Sequence, residues 1–167
     1  APKANLASWV IFTTNQLLAS DEQLMDMYQF ASNTVAVQNH SWGHSAATLN
    51  GPSLLEQIGI SNAVTSGRFG RGVIMVRSAG NGRQQGQNSN DDGYPSDPRV
   101  IDVAAIFRDG KPTSYSEPGA CVLVAAPSGE SGTNLFTTDL LGTQGANQIS
   151  YLPPNQELSD YVYNSIG

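Results

Sequence analysis

Residues 72–77 (GVIMVR) form a β-branched apolar run that stops abruptly at Ser78-Ala79-Gly80-Asn81-Gly82. A run this short, closed by turn residues, reads as a buried strand rather than a helix. Similar segments recur at residues 6–12 (LASWVIF), 35–39, 100–106 and 121–125, the last stopped by Pro127. Helical patterns lie between them. Ser20 is placed to cap a helix through Asp21-Glu22-Gln23, whose acidic first turn suits the macrodipole. Leu24, Met27, Tyr28 and Ala31 then share one face. Gly51-Pro52-Ser53 opens a second helix that carries Leu54, Leu55, Ile58 and Val64 and ends near Gly67. This alternation predicts an α/β domain with a mostly parallel sheet and flanking helices. Arg108-Asp109-Gly110-Lys111 reads as a turn. From Ser128 onward the chain is polar, Gly-rich and poorly periodic, and loop is expected there.

Composition narrows the partners. A chain of 167 residues is long enough for one sizeable core. Its 39% hydrophobic and 13% charged residues fit a soluble globular protein. No apolar run approaches the roughly 20 residues that span a bilayer, so no membrane partner is expected. No basic, apolar leader opens the sequence, so an export signal is expected upstream or already removed. A net charge of −6 argues against nucleic acid, which is bound through clustered Lys and Arg. Cys121 is the sole cysteine, which excludes an intrachain disulfide. It reads as a packed side chain at a strand start rather than a reactive thiol.

A hydrolytic site can be sought directly. The two histidines, His40 and His44, sit in NHSWGH beside a strand end. Their spacing suits zinc only on one helix face, and no Glu completes an HExxH pattern, so loop histidines are the plainer reading. GRFGRG at residues 67–72 lacks the Lys-Ser/Thr of a phosphate loop and precedes a strand, so it reads as a helix-ending turn. Serine catalysis needs a Ser, an imidazole and an acid within hydrogen-bond reach, and no such set stands out. What does stand out is Asn81 in Ser-Ala-Gly-Asn-Gly after a buried strand. An Asn amide at the carboxyl edge of a sheet can point into a cleft and donate to a developing oxyanion. The alternative is a strand-ending turn in which glycines supply positive φ.

The wider context favours the first. Val37-x-Asn39-x-Ser41-Trp42-Gly43, then Gly72-Val73 through Gly82, resembles the substrate strand and oxyanion segment of the subtilase family of serine endopeptidases. Asp92-Gly93-Tyr94-Pro95, residues 100–105, Tyr115-Ser116-Glu117-Pro118-Gly119 and Val124-Ala125-Ala126-Pro127 are similar to the segments that follow. Asp-Gly-Tyr, Tyr-Ser-Glu and Phe136-Thr137-Thr138-Asp139-Leu140 look kexin-like. The resemblance implies a three-layer subtilisin-like domain, incomplete here. It implies that Asn81 is the oxyanion-hole donor. Ser41, Trp42 and Gly43 would pair with an extended peptide or protein substrate. Ala79 and Gly80 would line the pocket for the residue before the cleaved bond, and Asp92 would favour Arg or Lys there. Glu117 matches one carboxylate of a calcium site, and an extracytoplasmic, secreted protein is implied.

Plainer readings stand beside these: Trp42 as a core aromatic, Asp92 as a turn acid, Glu117 as a loop cap. A cis Tyr94-Pro95 bond would shape the pocket rim, although X-Pro bonds are mostly trans. The chain also departs from the kexin pattern. The acidic stretch after Ser-Trp-Gly is replaced by His44-Ser45-Ala46-Ala47, and Gln87 stands where an acid is expected. Calcium takes several carboxylate oxygens, so that site is expected to be weakened or lost, and specificity relaxed. The family's catalytic Asp, His and Ser segments have no counterpart in the sequence. Residues 1–167 are thus expected to be the central part of a peptidase domain, completed by its remaining segments. A non-catalytic peptide-binding module of the same ancestry is the alternative.

Overall fold

The computed structural model describes residues 3–13, 16–17, 19–43, 49–130, 135–138 and 161–164. Its centre is a four-stranded parallel sheet of β3 (Val37–His40), β4 (Ile74–Ser78), β5 (Val100–Ile106) and β6 (Val122–Pro127), in that spatial order. Two helices precede and link the first strands, α1 (Asp21–Gln29) and α2 (Leu54–Gly70). Both open on capping boxes. Ser20 Oγ accepts from Gln23 N while Gln23 returns a bond to Ser20 N, and Ser53 and Glu56 repeat the exchange. Such reciprocal bonds satisfy two of the amide donors that a helix start leaves without partners.

Strand alternation divides the sheet into two faces. The registers place Gln38, Met75 and Val100 in one row and His40, Arg77 and Asp102 in the next. Gln38 donates to the α1 carbonyl of Tyr28 at 2.8 Å and Arg77 to Tyr28 Oη at 3.1 Å, so this is the face the helices cover. The core beneath them joins Leu24, Met27 and Tyr28 of α1 to Ile60 and Ala63 of α2, with Val73, Met75 and Tyr94.

Four expectations change. Residues 6–12 do not form a strand in this sheet. Only Phe12–Thr13 (β1) is extended and paired, in an antiparallel two-residue ladder with Gln16–Leu17 (β2), while Leu6 and Val10 are exposed. An apolar run becomes a strand only where it lies against a partner edge, and residues 6–12 pair with none of the four central strands. Ala31 lies beyond α1 with φ of 44°, off the helical face. On α2 the buried positions are Glu56, Gly59, Ile60, Ala63 and Gly67, whereas Leu54 and Ile58 are exposed. Close approach to α1 selects the small residues: a Cβ on Gly59 would sit 2.8 Å from the Met25 carbonyl oxygen. Finally, Leu135–Thr138 (β7) and Tyr161–Asn164 (β8) pair antiparallel in the region expected to be loop. Their Leu-Phe-Thr-Thr and Tyr-Val-Tyr sequences suit strands, but four-residue segments give too short a pattern to see among Gly and polar residues. The ends of α2 and of the 108–111 turn agree with expectation: backbone angles leave the helical region at Gly67, and Gly110 has φ of 83°.

Candidate functional site

The carboxyl ends of β3 and β4 bring the singled-out residues together. Ala79 extends the β4 ladder one step, its N–H donating to Val103 O at 3.0 Å. The chain then turns at Gly80, whose φ of 104° is one that a side chain resists. Asn81 is exposed beyond it. Beside this loop, β3 runs on into Ser41-Trp42-Gly43, with Asn39 Nδ2 donating to Ser41 Oγ at 3.1 Å. Arg77 Nη2 donates to the Trp42 carbonyl at 2.9 Å and thereby holds that peptide toward the helix-covered face.

Asp92 closes the far wall. Its Oδ1 accepts the Tyr94 N–H at 2.9 Å, and a Cβ on Gly43 would come within 2.9 Å of its Oδ2. The Tyr94-Pro95 bond is trans. Glu117, almost buried, reaches the loop twice: its N–H donates to Gly80 O at 3.1 Å, and its Oε1 accepts the Gly82 N–H at 2.9 Å. Together Ser41, Trp42, Gly43, Ala79, Gly80, Asn81, Asp92 and Glu117 line one cleft of about 430 Å³. All eight residues that the family resemblance assigns to the site are in that wall. His44 and the adjoining residues 45–47 lie outside the described residues.

The sequence reading missed what lies under the cleft. Arg77 is buried, with its guanidinium carbon 4.2 Å from the centroids of both the Trp42 and the Tyr94 rings. Stacking of this kind offsets part of the cost of burying a cation. Its Nε has no partner among the described residues. Tyr94 Oη in turn donates to buried Glu56 at 2.6 Å. A basic residue on the inward parity of an otherwise apolar strand was the available signal for Arg77. Trp42 is therefore both a cleft wall and a core aromatic. Burial, and then the Arg77 charge, holds His40 down to about 3, so its ring is neutral at ordinary pH. Burial pushes Asp102 and Cys121 up, and Cys121 Sγ lies 3.3 Å from Asp102 Oδ2, which suits a packed thiol rather than a reactive one. Glu117 is pushed up by burial first, with the Gly82 N–H opposing and the Asp92 charge adding to the rise.

Among the described residues, the donors around Glu117 do not make a calcium cage. One of its oxygens already accepts an amide proton, a carboxamide stands at Gln87, and no three His, Cys, Asp or Glu side chains converge among the described residues. Calcium takes six to eight oxygens, several from carboxylates.

The sequence profile of the Subtilase family matches residues 1–162. The chain belongs to the subtilase family. Its kexin-like relatives include protease KEX1 of Kluyveromyces lactis, 34% identical over 135 residues, covering 80% of this chain and 18% of the relative. Proprotein convertase subtilisin/kexin type 4 of Mus musculus is 33% identical over 112 residues, covering 64% of this chain and 17% of the convertase. The subtilase chain thus spans under a fifth of the length of either. Among solved structures, the Aeromonas sobria serine protease in complex with the chaperone ORF2 superposes with a TM-score of 0.74. That match, at 23% identity, covers 92% of this chain and 31% of the solved one, and it shows the subtilisin-like α/β fold.

Proposed function

We propose that this chain is the central part of a kexin-like serine endopeptidase domain, contributing the substrate strand and the oxyanion donor. The observation that carries this reading is the convergence of Asn81 with Ser41-Trp42-Gly43 on one cleft at the carboxyl edge of the sheet. An extended peptide adds to the 41–43 backbone as a strand. Its side chain before the scissile bond enters between that strand and Ala79-Gly80. There Asp92 favours a basic group, without the further acids that would make the preference strict. Asn81 donates its amide to the oxyanion of the tetrahedral intermediate. The catalytic Asp, His and Ser come from the remaining segments of the domain, and the protein works outside the cytoplasm.

The decisive experiment uses the full-length protein. Replacing Asn81 by Ala is expected to lower kcat by about 10²–10³ with KM little changed, because the donor acts mainly on the transition state. The 167-residue chain alone is expected to keep its unmodified mass of 17.7 kDa after a fluorophosphonate serine probe. A stoichiometric adduct on this chain, or an unchanged kcat in Asn81→Ala, overturns the proposal. Peptide binding with no turnover in the full-length protein would instead identify a non-catalytic peptide-binding module.

A further inference from the structure

We infer that Glu117 is a metal-independent clamp on the 80–82 loop, fixing the backbone on both sides of Asn81 by hydrogen bonds alone. The loop leaves β4 with no ladder partner after Ala79, so something else must hold it. Glu117 holds it at two points, its own N–H on Gly80 O and its carboxylate on Gly82 N–H. A charge-assisted bond of the second kind is about twice as strong as a neutral one.

Two glycines are shaped to this contact. A Cβ on Gly80 would stand 2.4 Å from Glu117 Oε1, so the carboxylate occupies the space a side chain would need. A Cβ on Gly82 would meet the Gln87 carboxamide, and Gln87 N–H also donates to Gly82 O at 3.0 Å. The loop is therefore gripped from Glu117 on one side and Gln87 on the other. In place of the calcium that the family resemblance gives to Glu117, this chain uses an amide proton as the carboxylate's partner. The value of the clamp for catalysis rests on the oxyanion role proposed for Asn81; the clamp itself does not.

The two readings of Glu117 separate in one pair of substitutions, followed by amide hydrogen exchange at Gly82 in the full-length protein. A Gln carbonyl still accepts the Gly82 N–H but loses the charge that a calcium ligand needs. Glu117→Gln is expected to keep Gly82 protection within about threefold, and Glu117→Ala to lose about tenfold or more. Neither millimolar calcium nor chelation by EDTA should move the wild-type value. Protection that rises with calcium and disappears in Glu117→Gln overturns the inference, as does an unchanged Gly82 rate in Glu117→Ala. If the Ala variant does not fold, the wild-type and Gln proteins with and without calcium still decide between the two. A clamp that passes while Asn81→Ala leaves kcat intact would fault only the oxyanion assignment.

Discussion

Arg77 and His40 face the same helix-covered side of the sheet, one strand apart in register. They divide one problem between them: a cation is already in this core, and a second would be repelled. The His40 ring packs against Tyr28 at a tilt of 43°, centroids 5.3 Å apart, with its Nε2 3.3 Å from Gln38 Oε1. Burial and the neighbouring guanidinium keep it neutral down to about pH 3. The unfolded chain protonates the same ring near pH 6.5. Below that value the unfolded state therefore binds a proton that the folded state refuses. The contribution of His40 is complete above about pH 6.5 and is lost as pH falls toward 3, by at most about 1.4 kcal/mol per pH unit. Urea unfolding between pH 7 and pH 5 should show this loss, and His40→Gln should flatten the slope. An equal slope in that variant would place the pH dependence elsewhere.

At the scale of elements, the first turn of α2 carries a residue with two duties. Glu56 Oε2 accepts the Ser53 N–H at 2.8 Å, and Oε1 accepts the Tyr94 hydroxyl beneath the cleft. Removing only the cap, in Ser53→Ala, should cost about 1 kcal/mol. Glu56→Ala should cost about 3 kcal/mol, because it also leaves a buried phenol without an acceptor. Thermal denaturation of the two variants checks the order, and equal losses would show that the Tyr94 bond adds nothing. The contrast also marks what the sequence could reveal. Caps, the Gly110 turn and β5 are local, written in four to seven adjacent residues, and were legible. The cleft residues came instead from the ordered motifs that resemble the subtilases, since strand, turn and Asn by themselves fit a plain strand-ending turn equally well. The buried face of α2 was not legible, because contact with α1 favours Gly59 and Ala63 over larger apolar neighbours. Arg77 was missed because its partners, Tyr28 and Trp42, are 49 and 35 residues away. β1 and the β7–β8 pair were misjudged because pairing depends on which edge is near.

At the scale of the whole molecule, no helix among the described residues covers the second face of the central sheet. Val37, Ile74 and Val124 on that face are 52%, 45% and 49% exposed, and Leu123 at the edge strand is 67% exposed. A second cavity of about 490 Å³ opens on this side, lined by Val76, Val103, Ala105, Ala126 and Leu135 among others. Parallel sheets are ordinarily covered on both faces. The 167 residues taken alone should therefore be marginally stable or self-associate, and should bind a hydrophobic dye that the complete protein does not. Sedimentation and dye fluorescence test this. A monomeric, cooperative unfolding transition of ordinary stability would contradict it and would leave the bare face without consequence.

β4 is bounded by two glycines whose backbones admit no substitute. Gly72 has φ of 77° and its missing Cβ would lie 2.2 Å from Val64 O, while Gly80 meets Glu117. The span between them thus has a fixed count, and in a strand the count decides the side. One residue gained or lost between these glycines would exchange inside for outside along the rest of the strand. Arg77 would leave the aromatic sandwich, and the Asn81 loop would emerge with the wrong hand toward the cleft. Homologues with a working cleft should therefore differ in the letters of this strand but not in whether their number is odd or even.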